Sequence, residues 1–114
     1  MYATTYAKAK DVADAVSQLK GADEGKLLAG GQTLIPTLKQ RLASSDCLID
    51  LSEAGLSGIS DEGGSIRIGA MTRHVEVETS ELVKKAIPAL ATLASGIGDR
   101  QVRNCGTIGG SVAN

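Results

Sequence analysis

The sequence predicts an α+β fold, and three observations predict it. Two segments carry apolar residues at helical spacing and alternate with two short apolar runs of strand length. Two further short runs flank a glycine pair in the manner of a β-hairpin. After these, hydroxyl and proline residues stand where helices begin.

Taken in order, residues 11–20 (DVADAVSQLK) place Val12, Val16 and Leu19 on one helical face, with Asp11 as cap and Gly21 as terminator. Residues 26–29 (KLLA) fit a buried strand. LIPTLKQRLA then repeats the helical pattern through Leu34, Leu38 and Leu42. With Thr33 as its cap, Pro36 falls in the first turn, where a missing N–H costs little. Residues 46–51 (DCLIDL) read as the next strand, and a strand–helix–strand crossover makes parallel neighbours. LSGIS and SIRIGA, joined by DEGG, read as a hairpin in which Ile66 and Ile68 alternate with Arg67. Helices are expected over 73–79, capped by Thr72, over ELVKKA, capped by Ser80, and from Pro88 to Gly96 or Gly98. The tail, DRQVRNCGTIGGSVAN, is polar and then glycine-rich.

The composition is that of a soluble globular chain: 114 residues, 42% hydrophobic, 22% charged, net charge −1. Twelve basic residues against thirteen acidic ones give no electrostatic case for nucleic acid or an anionic membrane. No apolar run approaches the roughly 20 residues of a spanning helix, and MYATTYAKAKDVADAV lacks the core of an export signal. Cys47 and Cys105 have no metal-ligand spacing and read as reduced thiols. His74, the single histidine, reads as a polar helix residue. Tyr2 and Tyr6 are the only aromatics, so Leu, Ile, Val and Ala must build a modest core. Part of that core is expected elsewhere, in further sequence or in a partner.

Three glycine pairs stand out. Gly63–Gly64 is accounted for by the hairpin turn. Gly30–Gly31 joins a strand to a helix start, where outward-pointing amides and a hydroxyl from Thr33 can meet a phosphate, although an ordinary turn has the same pattern. Gly109–Gly110 is bracketed by Thr107 and Ser111, which can present several amides and two hydroxyls to one anion; a plain loop is the alternative. Two such loops could clamp a dinucleotide diphosphate from both sides. Neither is a Walker loop, for no G-K-[ST] occurs, and Gly96-Ile97-Gly98 lacks the third glycine of the G-x-G-x-x-G fingerprint.

These residues resemble a known family. L-L-A-G-G-Q-T-L-I-P, residues 27–36, is similar to the first flavin-binding loop of the FAD-carrying medium subunit of molybdenum hydroxylases, a group that includes carbon monoxide dehydrogenase and the xanthine dehydrogenase family. Q-V-R-N-C-G-T-I-G-G-S, residues 101–111, is similar to the second loop. Between them, I-G-A-M-T at 68–72 and I-P-A-L at 87–90 match in order and spacing. The resemblance covers essentially the whole chain and less than half of a family subunit.

The resemblance implies an FAD-binding domain of the vanillyl-alcohol-oxidase (PCMH) type. Residues 1–54 would form a small α/β lobe with the first loop, and residues 55–114 the start of a larger α+β lobe with the second, truncated at its C-terminus. Ala29, Gly30, Gly31, Gln32 and Thr33 would contact the FAD pyrophosphate, as would Thr107, Ile108, Gly109, Gly110 and Ser111. Ile97 would approach the flavin. Thr33 stands where Ser is more usual, and Cys105 where Arg is frequent.

The implied function is that of an oxidoreductase subunit in a cytoplasmic hetero-oligomer. It would pass electrons from [2Fe-2S] clusters on a small subunit, reduced at the molybdenum cofactor of a large molybdopterin subunit, through FAD to an acceptor such as NAD or a quinone. No catalytic acid, base or nucleophile and no metal ligand is expected on this chain, since the redox chemistry is the flavin's. Asp99, Arg100 and Arg103 are expected either to balance phosphate charge, to face a partner or to be solvated. Alone, the 114 residues are expected to bind FAD poorly or not at all. Two other readings stay open: a nucleotide- or phosphate-binding module without redox activity, and a structural fragment whose glycines only make turns.

Overall fold

Three short parallel strands organise the first of two units, Met1–Leu56, in a computed structural model that describes every residue from Met1 to Asn114. The elements are β1 (Thr5–Lys8), α1 (Val12–Gly21), β2 (Gly25–Leu28), α2 (Leu34–Lys39) and β3 (Cys47–Asp50), with the sheet in the order β1-β3-β2. The central strand β3 pairs in parallel on both sides, Ile49 lying opposite Ala7 and Leu27. The crossover expected from the alternation of elements is therefore present, and β1 adds a strand that the sequence did not suggest. TYAK has no apolar run because an edge strand is held by its backbone. At the start of the strand Thr5 N–H donates to Asp46 O at 2.9 Å, and just past its end Ala9 N–H donates to Asp50 O at 3.0 Å.

Asp11 caps α1 as expected, its carboxylate accepting from Asp14 N–H at 2.7 Å. The buried stripe differs from the expected one. Ala9, Ala15 and Ile49 form the core of this unit, with Leu19, Cys47 and Leu51 packed on it. Val12 and Val16 remain 50% and 46% exposed. The small Ala15 methyl lets the helix approach Ile49 closely, so the contact line runs along Ala15 and Leu19 and leaves the bulkier valines to one side.

The second helix is shorter than its apolar spacing suggests. It ends at Lys39, and Leu42 is 75% exposed instead of completing the apolar face. Arg41 turns left-handed (φ 57°), its N–H bonded to Leu38 O while Leu42 N–H reaches Thr37 O. This is the Schellman closure, here with arginine where glycine is usual. The Arg41 guanidinium lies 5.0 Å from the centre of the Tyr2 ring, a cation–π contact that offsets part of the backbone strain.

The second unit, Ser57–Asn114, starts with the expected antiparallel hairpin of β4 (Ile59–Asp61) and β5 (Ile66–Ile68). Its turn is closed by Glu62 N–H on Ser65 O at 2.8 Å, with Gly63 and Gly64 both at positive φ. Five helices follow: α3 (His74–Thr79), α4 (Glu81–Ala86), α5 (Pro88–Ser95), α6 (Arg100–Cys105) and α7 (Ile108–Ala113). Val77, Val83, Ala91 and Ala94 form the core, with Ile59, Ile68 and Leu90 against it. Ser80 caps α4, its hydroxyl accepting from Val83 N–H, and Pro88 opens α5.

Thr72 does not cap α3. The cap is Arg73, whose N–H donates to Glu76 Oε2 at 2.8 Å. Thr72 is instead fully buried and clasps Gly58, accepting from its N–H at 3.0 Å and donating to its carbonyl at 3.2 Å. The tail, to which the sequence assigns no helix, holds α6 and α7. Two adjacent glycines lower helix propensity by about 1 kcal/mol each, so α7 exists through its tertiary contacts and not through local preference.

Candidate functional site

The first glycine segment lies in the first unit, where β2 runs through Ala29 into α2. Gly31 adopts φ 74°, and a Cβ there would lie 3.0 Å from Ile35 Cγ1. Only glycine takes this torsion without strain. Gly31 O accepts from Ile35 N–H at 3.1 Å, and Thr33 O accepts from Thr37 N–H and from the Thr37 hydroxyl. The carbonyls of the turn are thereby committed to the helix. The donors are not: the amides of Gly30, Gly31, Gln32, Thr33 and Leu34 have no acceptor within the chain. Thr33 occupies the cap position, yet its side chain makes no capping bond. Five successive N–H groups and a free hydroxyl on exposed or half-buried residues can meet an anion without first breaking protein bonds.

The second glycine segment, in the second unit, is built differently. Ile108 N–H donates to Thr72 O at 3.0 Å, Gly109 N–H to Ala70 O at 2.8 Å and Ser111 N–H to Thr107 O at 3.1 Å. Gly110 N–H donates to the Thr107 hydroxyl at 3.1 Å. Four amides that the sequence left open to an anion are thus spent inside the fold. The glycine requirement also has another cause. A Cβ on Gly109 would stand 2.6 Å from Ala70 O and 2.7 Å from Ala70 Cβ, so glycine here permits α7 to rest on the backbone of residues 70–72. Thr107 is buried, and Ser111 is exposed with its hydroxyl 3.0 Å from His74 Nε2. What this segment can offer a ligand is side-chain hydroxyl chemistry.

Ile97 is half-buried in the turn between α5 and α6. Its carbonyl and that of Gly98 accept from Arg103 Nη1 at 3.3 and 3.0 Å. The same guanidinium donates from Nε to Glu78 at 3.1 Å, the two side chains being only 18% and 27% exposed. Arg103 therefore clamps this turn to α3 and is not a solvated charge. Asp99 is likewise engaged, capping α6 by accepting from Val102 N–H at 2.8 Å. Arg100 is exposed.

Sequence reasoning missed the frame under the second segment: Ala70, Thr72 and His74. His74 is 4% exposed, and burial pushes its imidazole below the ordinary value of 6.5, favouring the neutral ring. A signal was present, since His74 and Val77 stand three apart and share the inward face of α3. No group of three or more His, Cys, Asp or Glu side chains is placed to hold a metal, and Cys47 and Cys105 are free thiols. No helix is long and apolar enough to cross a membrane.

Comparison with known proteins gives a consistent picture. Residues 2–114 match the family model described as the FAD binding domain in molybdopterin dehydrogenase. The chain is 43% identical over 111 residues to the carbon monoxide dehydrogenase medium chain of Hydrogenophaga pseudoflava, covering 96% of this chain and 39% of that one. It is 38% identical, also over 111 residues, to the glyceraldehyde dehydrogenase medium chain of Sulfolobus acidocaldarius, covering 96% and 40%. Among solved structures, a carbon monoxide dehydrogenase of Hydrogenophaga pseudoflava superposes with a TM-score of 0.96 at 42% identity, over 98% of this chain and 40% of the other. Quinoline 2-oxidoreductase of Pseudomonas putida gives 0.94 at 34% identity, over 98% and 40%. The chain thus spans about 40% of the length of these relatives.

Proposed function

This chain belongs to the FAD binding domain family of molybdopterin dehydrogenases, and from that premise we propose that it holds FAD in the medium subunit of a molybdenum hydroxylase. The observation that carries the reading is the run of five unpaired amides at residues 30–34. A diphosphate needs donors that no protein acceptor already holds, and these donors, with a glycine at positive φ keeping the approach clear, fit it. Ala29, Gly30, Gly31, Gln32 and Thr33 would hold the diphosphate through backbone N–H groups and the Thr33 hydroxyl. From the second segment, Thr107, Ile108, Gly109, Gly110 and Ser111 would line the cofactor, with the Ser111 hydroxyl as the donor and the glycines giving a surface without side chains. Ile97, steadied by Arg103, would offer an apolar contact to the flavin.

The chemistry supplied by bound FAD would be electron transfer, between iron–sulfur clusters on a small partner subunit and an external acceptor, in an enzyme whose large subunit carries the molybdopterin. The residues of this chain would bind and orient the cofactor, and the redox chemistry would be the flavin's own. A cytoplasmic location accords with its two free thiols.

Purification of the full-length subunit with FAD available tests the reading. Flavin absorbance bands in the visible are expected, and Gly30→Val should weaken flavin retention about tenfold or more by placing a side chain against the diphosphate. A colourless protein would overturn the FAD assignment. Flavin that binds but stays oxidised while the iron–sulfur and molybdenum subunits turn over would remove the electron-transfer role and leave a binding module.

A further inference from the structure

The contact between His74 Nε2 and Ser111 Oγ, at 3.0 Å, joins the start of α3 to the first turn of α7. The frame around it is held by backbone hydrogen bonds. His74 N–H donates to Gly106 O at 3.0 Å, and the backbone of residues 70–72 holds Ile108 and Gly109 from the same side. Ser111 itself is exposed, so its hydroxyl can face a ligand while one side of it is occupied by a buried imidazole.

A serine hydroxyl has one proton, and the pair can share protons in two ways. If the hydroxyl donates to a bare Nε2, only lone pairs are left to face outward, and these repel a phosphate. If Nε2 carries the proton and donates to Oγ, the hydroxyl proton is free for an anion. The amides of residues 108–111 are already paired within the fold, so this one proton is the main donor that α7 has to give.

We propose that His74 is a positioning residue for the cofactor, donating from Nε2 to Ser111 Oγ and thereby committing the Ser111 proton to the bound diphosphate. The proposal rests on the FAD reading above. The lowered basicity of the buried ring accords with a neutral imidazole, which has one N–H to donate.

FAD affinity of the full-length subunit, measured by flavin fluorescence on titrating the apoprotein, tests it through a double-mutant cycle. Ser111→Ala is expected to weaken binding about tenfold. His74→Leu is expected to weaken it about fivefold when Ser111 is present and to have no further effect in the Ser111→Ala background. His74→Gln brings an amide N–H to nearly the reach of Nε2 and should restore most of the affinity, whereas His74→Asn falls short and should not. That pair keeps the test decisive if the leucine variant fails to fold. An equal loss with His74→Leu in both backgrounds, or Gln and Asn variants that bind alike, would overturn the proposal while FAD binding stood. An unchanged affinity in Ser111→Ala would overturn it in the same way. Failure of the unaltered subunit to bind FAD would overturn the FAD reading and the proposal together.

Discussion

The two glycine pairs at 30–31 and 109–110 look alike in the sequence, each beside an apolar residue and a hydroxyl, yet the chain uses them in opposite ways. At the first, glycine is demanded by a torsion, and the surrounding amides are left unpaired. At the second, the torsions are helical, glycine is demanded by the closeness of Ala70, and the amides are spent on the fold. One pair leaves binding capacity open, while the other converts it into packing and leaves a single hydroxyl exposed. A diglycine near a hydroxyl residue is therefore not one motif; its meaning depends on what the backbone N–H groups face.

The contrast predicts unequal responses to substitution. Gly109→Val should have the largest effect. Its side chain would push against the Ala70 backbone, which cannot rotate away, so a loss of about 3 kcal/mol or more is expected in urea denaturation. A loss under about 1 kcal/mol would break the claim that packing dictates this glycine. Gly31→Ala should cost less, about 1–2 kcal/mol for a left-handed alanine, because the nearest obstacle is the movable Ile35 side chain.

Arg41 sharpens the torsional half of the comparison. It holds a left-handed position in the same unit without being glycine. Arg41→Gly should raise thermal and denaturant stability by up to about 1 kcal/mol, reduced by the lost contact with Tyr2. If Gly31→Ala and Arg41→Gly shifted stability in the same direction, torsion would not be the governing cause.

The smallest expected effect is a pH slope from the second region. Burial lowers the His74 pKa below the ordinary 6.5, so the unfolded chain binds more protons than the folded one as pH falls through that value. Stability should accordingly be complete above about pH 7 and decline on acidification below it. His74→Gln should flatten that slope in denaturation curves recorded at about pH 7.5 and 5.5.

Much of the fold was legible in the sequence because it rests on local signals. The Asp11 and Ser80 caps, the turn at Gly63–Gly64 and Pro88 at a helix start each need only their neighbours. The parallel pairing of β2 and β3 followed from element order. Where the reading departed from the structure, a distant partner had decided the matter. Thr72 looks like a cap but is drawn inward by Gly58, fourteen residues away. β1 exists because β3 offers an edge 42 residues further on, Thr5 pairing with Cys47. Leu42 continues the helical spacing, yet α2 stops before it, since the Schellman closure at Arg41 satisfies the last carbonyls. Of the site, the first glycine segment was legible as an amide-rich turn. The inward place of His74 had only the three-residue spacing to Val77 as its signal, and the Arg103 clamp had none, since its partners lie on other elements.

By itself, the sequence determined most of the element types, the Asp11 and Ser80 caps and the family, because each depends on residues within a turn or two of one another. Only the tertiary structure decided which amides remain free, which glycines serve torsion or contact, and which charges are inside. Those outcomes depend on the group that each N–H or side chain meets across the fold, and such meetings are made between segments that the order of residues does not place side by side.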